Sequence, residues 1–182
     1  MADCRLEGAG NDELDEAVLD ATLIFDLEAA QIFAQIFYLK HRWVVTDFVE
    51  EELKTPNIPM LKQLGLRVVT LTGDQIKDID TLAKNYIGPS IPDLSCLVYA
   101  RDNHIPLVTR DSALQQAARK EGVKVLDTHD LMVELVREGI IKPQVAADAL
   151  ELIQSQRLVR PRRDWTTLIK QWRKRADEES GQ

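Results

Sequence analysis

Four acidic residues sit against apolar runs in places where a solvated surface would not need them. Asp20 stands between "AVL" and "ATLIF", and Glu52 closes the acids of "TDFVEEELK". Asp93 lies in "IPDLSCLVYA", and Asp111 follows "PLVTR". A carboxylate at the mouth of a buried strand is costly unless something pairs with it. Two carboxylates about 4 Å apart repel by roughly 4 kcal/mol at an effective dielectric near 20. Three or four converging would take up protons or splay apart unless a cation held them. A site made only of oxygen donors favours Mg²⁺ or Mn²⁺ over zinc.

Each acid also has a plainer reading. Asp20 and Asp111 fit helix N-caps, a position that favours aspartate. Asp93 stands three residues after Ser90, the spacing of a capping box. Glu52 is placed by helical spacing on the stripe of Phe48, Val49 and Leu53, where a glutamate is unusual unless it faces a partner. Glu51 is the fallback if the register shifts by one. Rival chemistries find little support. His41, His104 and His129 lack ligand spacing, no serine or cysteine has an evident histidine partner, and no glycine-rich phosphate loop occurs.

The elements that must position these acids alternate. Short apolar runs at 18–19, 43–45, 66–71, 106–109 and 123–126 read as five strands. Helical patterns lie between them: "LIFDLEAAQIFAQIFYL", "DFVEEELK", "GDQIKDIDTLAKNYIG", "IPDLSCLVYARDNH" and "SALQQAARKEG". Gly88 and Gly122 are expected to stop two of these helices. Alternation of this kind predicts an α/β fold with a mostly parallel five-stranded sheet covered on both faces. In such sheets ligands bind beyond the carboxyl ends of the strands, which is where the acids fall. After Asp127 three helical patterns follow, separated near Pro143 and Pro161, and read as a helical extension rather than an independent domain.

The 182 residues suffice for one well-buried core, and 45% hydrophobic with 29% charged residues fits a soluble globular chain. No apolar run approaches a membrane span, and the acidic N-terminus lacks a secretory signal. Cys4 and Cys96 are the only cysteines, so a reducing compartment, the cytoplasm, is expected. The net charge of −7 conceals a contrast: residues 1–156 carry −11, residues 157–175 carry +7 and residues 176–182 carry −3. Nucleic acid would be repelled by most of this surface and attracted to one end.

Three families invite comparison. The "LDATL" run is similar to the DxDxT motif of haloacid-dehalogenase-type phosphatases, but Thr22 stands where the second acid belongs. Phospho-receiver domains need an early acidic pair and a lysine at a late strand end, whereas Lys124 lies within "VKVL". The chain resembles the PIN-domain family, nucleases that include VapC-type toxins. The matching pieces are "VLDATLIFDL", "VVTDFVEEEL", "IPDLSCLVYARDNHIPLVTRD" and "LQQAARKEGVKVL", in order across 17–128. "DLMVELVREGII" adds a likeness to a bacterial PIN subgroup described as nucleic-acid-binding.

The resemblance implies a three-layer PIN-like sandwich. Residues 1–16 would form an acidic tail, 17–128 the nuclease domain and 129–182 the helical extension. It implies that Asp20, Glu52, Asp93 and Asp111 form a catalytic, metal-holding quartet supported by Thr109, using Mg²⁺ or Mn²⁺ to hydrolyse RNA. Such ions would activate water and stabilise the leaving oxygen in an in-line displacement. Ser112 and Ala113 replace a further acid that some nuclease relatives carry. Candidate RNA contacts are Arg101, Arg110, Arg160, Arg162, Arg163, Arg173 and Lys174, although a basic helix can equally be a solvated face. Trp165, Leu168, Ile169 and Trp172 could present a docking face to an antitoxin or to a second copy in a homodimer. The alternatives are a non-catalytic PIN-like binding module and a structure-specific DNA nuclease.

Overall fold

The computed structural model describes residues 15–53, 58–156 and 163–180. Five strands form one wholly parallel sheet: β1 (Asp15–Leu19), β2 (His41–Thr46), β3 (Arg67–Val69), β4 (Leu107–Val108) and β5 (Val125–Leu126). Their order is β3-β2-β1-β4-β5. The chain first builds outward from β1 to β2 and β3, then crosses to the other side for β4 and β5. The direction reverses between β1 and β4, and the crevice at that switch point is where an open parallel sheet offers a site. Val18 pairs with Leu107 and Leu19 with Val108, which sets Asp20 level with Thr109 just beyond the strand ends.

Nine helices are described: α1 (Ala21–Ala29), α2 (Asp47–Glu52), α3 (Ile58–Leu64), α4 (Gly73–Asn85), α5 (Ile91–Asn103), α6 (Ser112–Lys120), α7 (Thr128–Arg137), α8 (Pro143–Gln156) and α9 (Arg163–Ser180). Helices cover both faces of the sheet, as a parallel sheet with continuous apolar strands requires. α4, α5 and α6 pack together, with α5 lying against β1, β2 and β4. α1, in the crossover from β1 to β2, packs against α8. Val18, Leu19, Leu23, Ile24, Leu94, Leu97 and Leu107 are all fully buried between these layers.

Two expected helices end differently. The pattern over 23–39 is broken: α1 stops at Ala29, Gln31 takes a left-handed φ of 58°, and Phe33–Tyr38 forms a 3₁₀ helix. Trp43 Nε1 donates to Ile36 O at 2.8 Å, tying that tighter turn to β2. α4 ends at Asn85, three residues before Gly88, because Tyr86 leaves the helix to donate from Oη to Glu121 Oε1 at 2.6 Å.

The C-terminal helices share the sheet's core. Ala146, Ala147, Leu150 and Ile153 of α8 belong to the same buried cluster as the strands. α9 lies along α8 and buries Trp165, Ile169 and Trp172, with Leu168 partly buried. The docking face expected of these residues is therefore already occupied within the chain, since an amphipathic helix buries its apolar stripe wherever a matching face is available. Trp165→Ala should lower unfolding stability by about 3–5 kcal/mol, the usual cost of a buried aromatic truncation. Urea denaturation checks this, and an unchanged midpoint would mean that the α9 stripe is not part of the core.

Candidate active site at the sheet's carboxyl edge

Asp20 is wholly buried at the end of β1. Its backbone N donates to Val108 O at 3.3 Å, continuing the β1–β4 ladder by one residue. Its side chain caps α1: Oδ1 accepts from Leu23 N at 2.8 Å. Oδ2 accepts from Thr22 Oγ1 at 2.6 Å and from Thr109 Oγ1. Thr109 Oγ1 in turn accepts from Asp111 N at 3.0 Å, so one hydroxyl links the two aspartates' segments. Among the described residues no lysine or arginine pairs with Asp20.

Burial pushes the Asp20 carboxyl up from 3.8 to about 6, against the pull of hydrogen bonds from Thr109, Thr22 and the Leu23 amide. The nearby charge of Asp93 adds to the rise. Burial also pushes the Cys96 thiol up, and the charges of Asp20 and Asp93 reinforce this. Cys96 Sγ lies 3.7 Å from Leu19 O, so it backs the site as a neutral, packed group.

Asp93 and Asp111 each serve a helix N-terminus. Asp93 Oδ2 accepts from Ser90 N at 2.8 Å, and Asp93 N donates to Ser90 Oγ at 3.3 Å, completing a capping box at α5. Asp111 Oδ1 accepts from Leu114 N at 2.7 Å at the start of α6. The capping readings therefore hold for all three aspartates. Each cap spends one oxygen, which leaves the second carboxylate oxygen of Asp93 and of Asp111 for another partner.

Glu52 differs from its expected setting. α2 is six residues long and buries Val49 alone, and Glu52, its last residue, is exposed. The helix ends before a buried stripe can develop, so Glu52 faces solvent rather than the core. Its segment is still tied to the site: Thr46 caps α2 through Val49 N and meets the buried Ser95 hydroxyl of α5 at 2.7 Å.

No three of the four quartet members bring ligand atoms within 4.8 Å of one another among the described residues. Repulsion between unneutralised carboxylates, together with the caps that turn Asp93 and Asp111 onto their own helices, accounts for this spread. The group that does meet that spacing is Asp127, His129 and Asp130, which sequence spacing missed. It is a capping box at α7: Asp127 Oδ1 accepts from the His129 and Asp130 amides, and Asp130 Oδ2 accepts from Asp127 N.

Several expected RNA contacts are already engaged. Arg110 Nε lies 2.5 Å from Asp26 Oδ2, and Arg110 Nη2 donates to Asp26 Oδ1 at 3.2 Å. Arg101 pairs with Asp78 and Asp102 and approaches Glu121. Arg173 pairs with Asp148 and Glu151 across α8 and α9. Intrachain carboxylates thus neutralise these guanidinium groups, whereas Lys174 is largely exposed beside Glu178. Arg160 and Arg162 lie outside the described residues, and Arg163 is placed only as the first residue of α9.

Gly88 supplies a further constraint. Its φ is +120°, and a Cβ built there would lie 2.8 Å from Ala113 Cβ. The α4–α5 turn therefore rests on the first turn of α6, beside Asp111. Ala113, one of the two positions where some relatives carry another acid, is the residue that Gly88 approaches, and it stays partly exposed.

The wholly parallel five-stranded sheet with helices on both faces is consistent with a PIN-like α/β fold, a nuclease-type fold. The family described as DUF3368, a PIN domain, matches residues 16–174, and the chain belongs to the PIN-domain family. PIN domains are generally nucleases and typically use divalent metals. Among solved structures the chain is similar to a PilT N-terminus domain protein from the hyperthermophilic archaeon Sulfolobus solfataricus P2, at 14% identity and a TM-score of 0.41. That similarity covers 65% of this chain and 91% of the other. No curated protein matches the chain. Among the described residues no helix is long and apolar enough to cross a membrane.

The raised carboxyl of Asp20 makes stability depend on pH. Between about 4 and about 6 the native state holds a proton that the unfolded chain has released, so stability falls as pH rises through that window. The full effect is about 3 kcal/mol for a shift of roughly two units. Asp20→Asn should remove it. Chemical denaturation at pH 4 and pH 7.5 should show the variant gaining on the parent by about that amount at the higher pH. Parallel behaviour of the two proteins would contradict the burial account.

Proposed function

We propose that this chain is a divalent-metal-dependent nuclease that hydrolyses RNA phosphodiester bonds at the carboxyl edge of its sheet. The carrying observation is Asp20: a fully buried carboxylate, held by two hydroxyls and an amide, with no cationic side chain among the described residues paired to it. A buried charge of this kind calls for a cation from outside the chain. The donors are all oxygens, which fits Mg²⁺ or Mn²⁺. Asp20, Asp93 and Asp111 would hold the ion, with Glu52 joining from the exposed end of α2.

When bound, such an ion supplies charge neutralisation for the phosphodiester and acidifies an attacking water. The chain's own residues prepare the place. Thr22 and Thr109 fix the Asp20 carboxylate in one orientation. The caps at α5 and α6 point their amide-rich helix ends toward the same edge, where helix N-termini favour negative charge. RNA is favoured over branched DNA by the resemblance and by Ser112 and Ala113, which stand where some nuclease relatives carry a further acid. A toxin role beside an antitoxin, or a homodimer, would add a protein partner to the same activity. The second reading, a non-catalytic module binding nucleic acid or protein, is favoured by one observation: Asp93 and Asp111 already have structural work as caps.

Titrating Mn²⁺ separates these readings. At a hundredfold excess over its dissociation constant the ion should stabilise the protein by about 2.7 kcal/mol, or about 5–10 °C in melting temperature. Asp20→Asn should lose both this shift and RNA cleavage. If Mn²⁺ leaves the melting temperature unchanged and Asp20→Asn cuts RNA as the parent does, the nuclease reading fails.

A further inference from the structure

Asp26 is as deeply buried as Asp20, yet it lies six residues along α1, about 9 Å down the helix axis from that cap. Its partner Arg110 is itself only 12% exposed at the side chain. Arg110 is the middle residue of the three-residue turn between β4 and α6. On one side is Thr109, whose hydroxyl holds Asp20, and on the other is Asp111, which caps α6. Gln115 Nε2 donates to Thr109 O at 2.8 Å and closes the turn from the α6 side. The turn is thus bonded to α1 at two separate points, through Thr109 to Asp20 and through Arg110 to Asp26.

We propose that Arg110 and Asp26 form a strut that fixes the β4–α6 turn, and with it Thr109 and Asp111, against the helix that Asp20 caps. Arg110 is then a positioning residue rather than a phosphate contact, and Asp26 positions through it. The inference rests on the nuclease reading for its consequence in catalysis, but its geometry stands on the ion pair alone. Arg110 Nη2 donates to Asp26 Oδ1 while Nε stands in ionic contact with Oδ2, a planar spread of donors that an ammonium lacks.

Arg110→Lys and Asp26→Asn test it in the full chain with Mn²⁺ and a single-stranded RNA substrate. Arg110→Lys keeps a positive charge beside Asp26, so it is the variant expected to stay folded. Both substitutions should lower kcat by about 10- to 100-fold through misplacement of the turn, with KM and the salt dependence of binding little changed. Asp26 is out of reach of substrate, so a matching loss from Asp26→Asn marks positioning. A phosphate contact would instead raise KM for Arg110→Lys alone and spare kcat in both variants, with the salt slope kept because lysine keeps the charge; that result overturns the proposal, as does an unchanged kcat.

Hydrogen exchange supplies a readout that needs neither metal nor activity. In Arg110→Lys the amides of Asp111 and Leu114 should exchange at least about tenfold faster, while those within α8 and α9 keep their protection. Unchanged exchange at 111 and 114 overturns the strut. A parent protein that neither cleaves RNA nor responds to Mn²⁺ would sink the nuclease reading and leave the strut to be decided by exchange.

Discussion

Keeping one carboxylate dry at the end of the central strand is the constraint to which the neighbouring structure responds. Asp20 cannot be solvated, and no basic side chain among the described residues neutralises it, so hydrogen-bond donors must surround it. The α1 helix begins there because the first turn offers the Leu23 amide. Thr109 ends β4 with a hydroxyl because the register of β1 with β4 brings it level with that carboxylate. Thr22 fills the remaining side from α1. The cost of the burial persists as a raised proton affinity, and a native protein tolerates such a cost where it serves function.

The β/α alternation was legible because strands buried on both faces read as short apolar runs, while the helices between them keep a 3.6-residue stripe. Asp20, Asp93 and Asp111 were legible as caps, which the structure bears out, whereas among the described residues no three of the quartet bring ligand atoms within 4.8 Å of one another. A strand's carboxyl end and the next helix's amino end are one place in a parallel sheet, so a residue there caps and faces the crevice together. Glu52 was misread in its burial because periodicity assumes a helix longer than the six residues of α2.

The arginines were the least legible. Arg110 meets Asp26 across 84 positions, Arg101 meets Asp78 across 23, and Arg173 meets Asp148 and Glu151 on another helix. Local spacing carries no trace of such pairs, so a charge count over 157–175 overstates the positive potential offered to a polyanion. The apolar stripe of α9 was read correctly as a stripe, but its occupant, α8, could be known only once the chain had folded back. The triad of Asp127, His129 and Asp130 was missed for a different reason: its residues are adjacent in sequence, and a capping box brings ligand atoms together without any ion being required.

The close approach of Gly88 to Ala113 links two positions that sequence separation would treat as independent. Position 88 cannot enlarge alone: a side chain there meets both the methyl of 113 and an unfavourable backbone angle. In a lineage of such chains, a residue other than glycine could be acquired at 88 only after the 86–90 turn had lengthened or shifted. What this turn can hold is therefore limited by its own shape as much as by selection on chemistry.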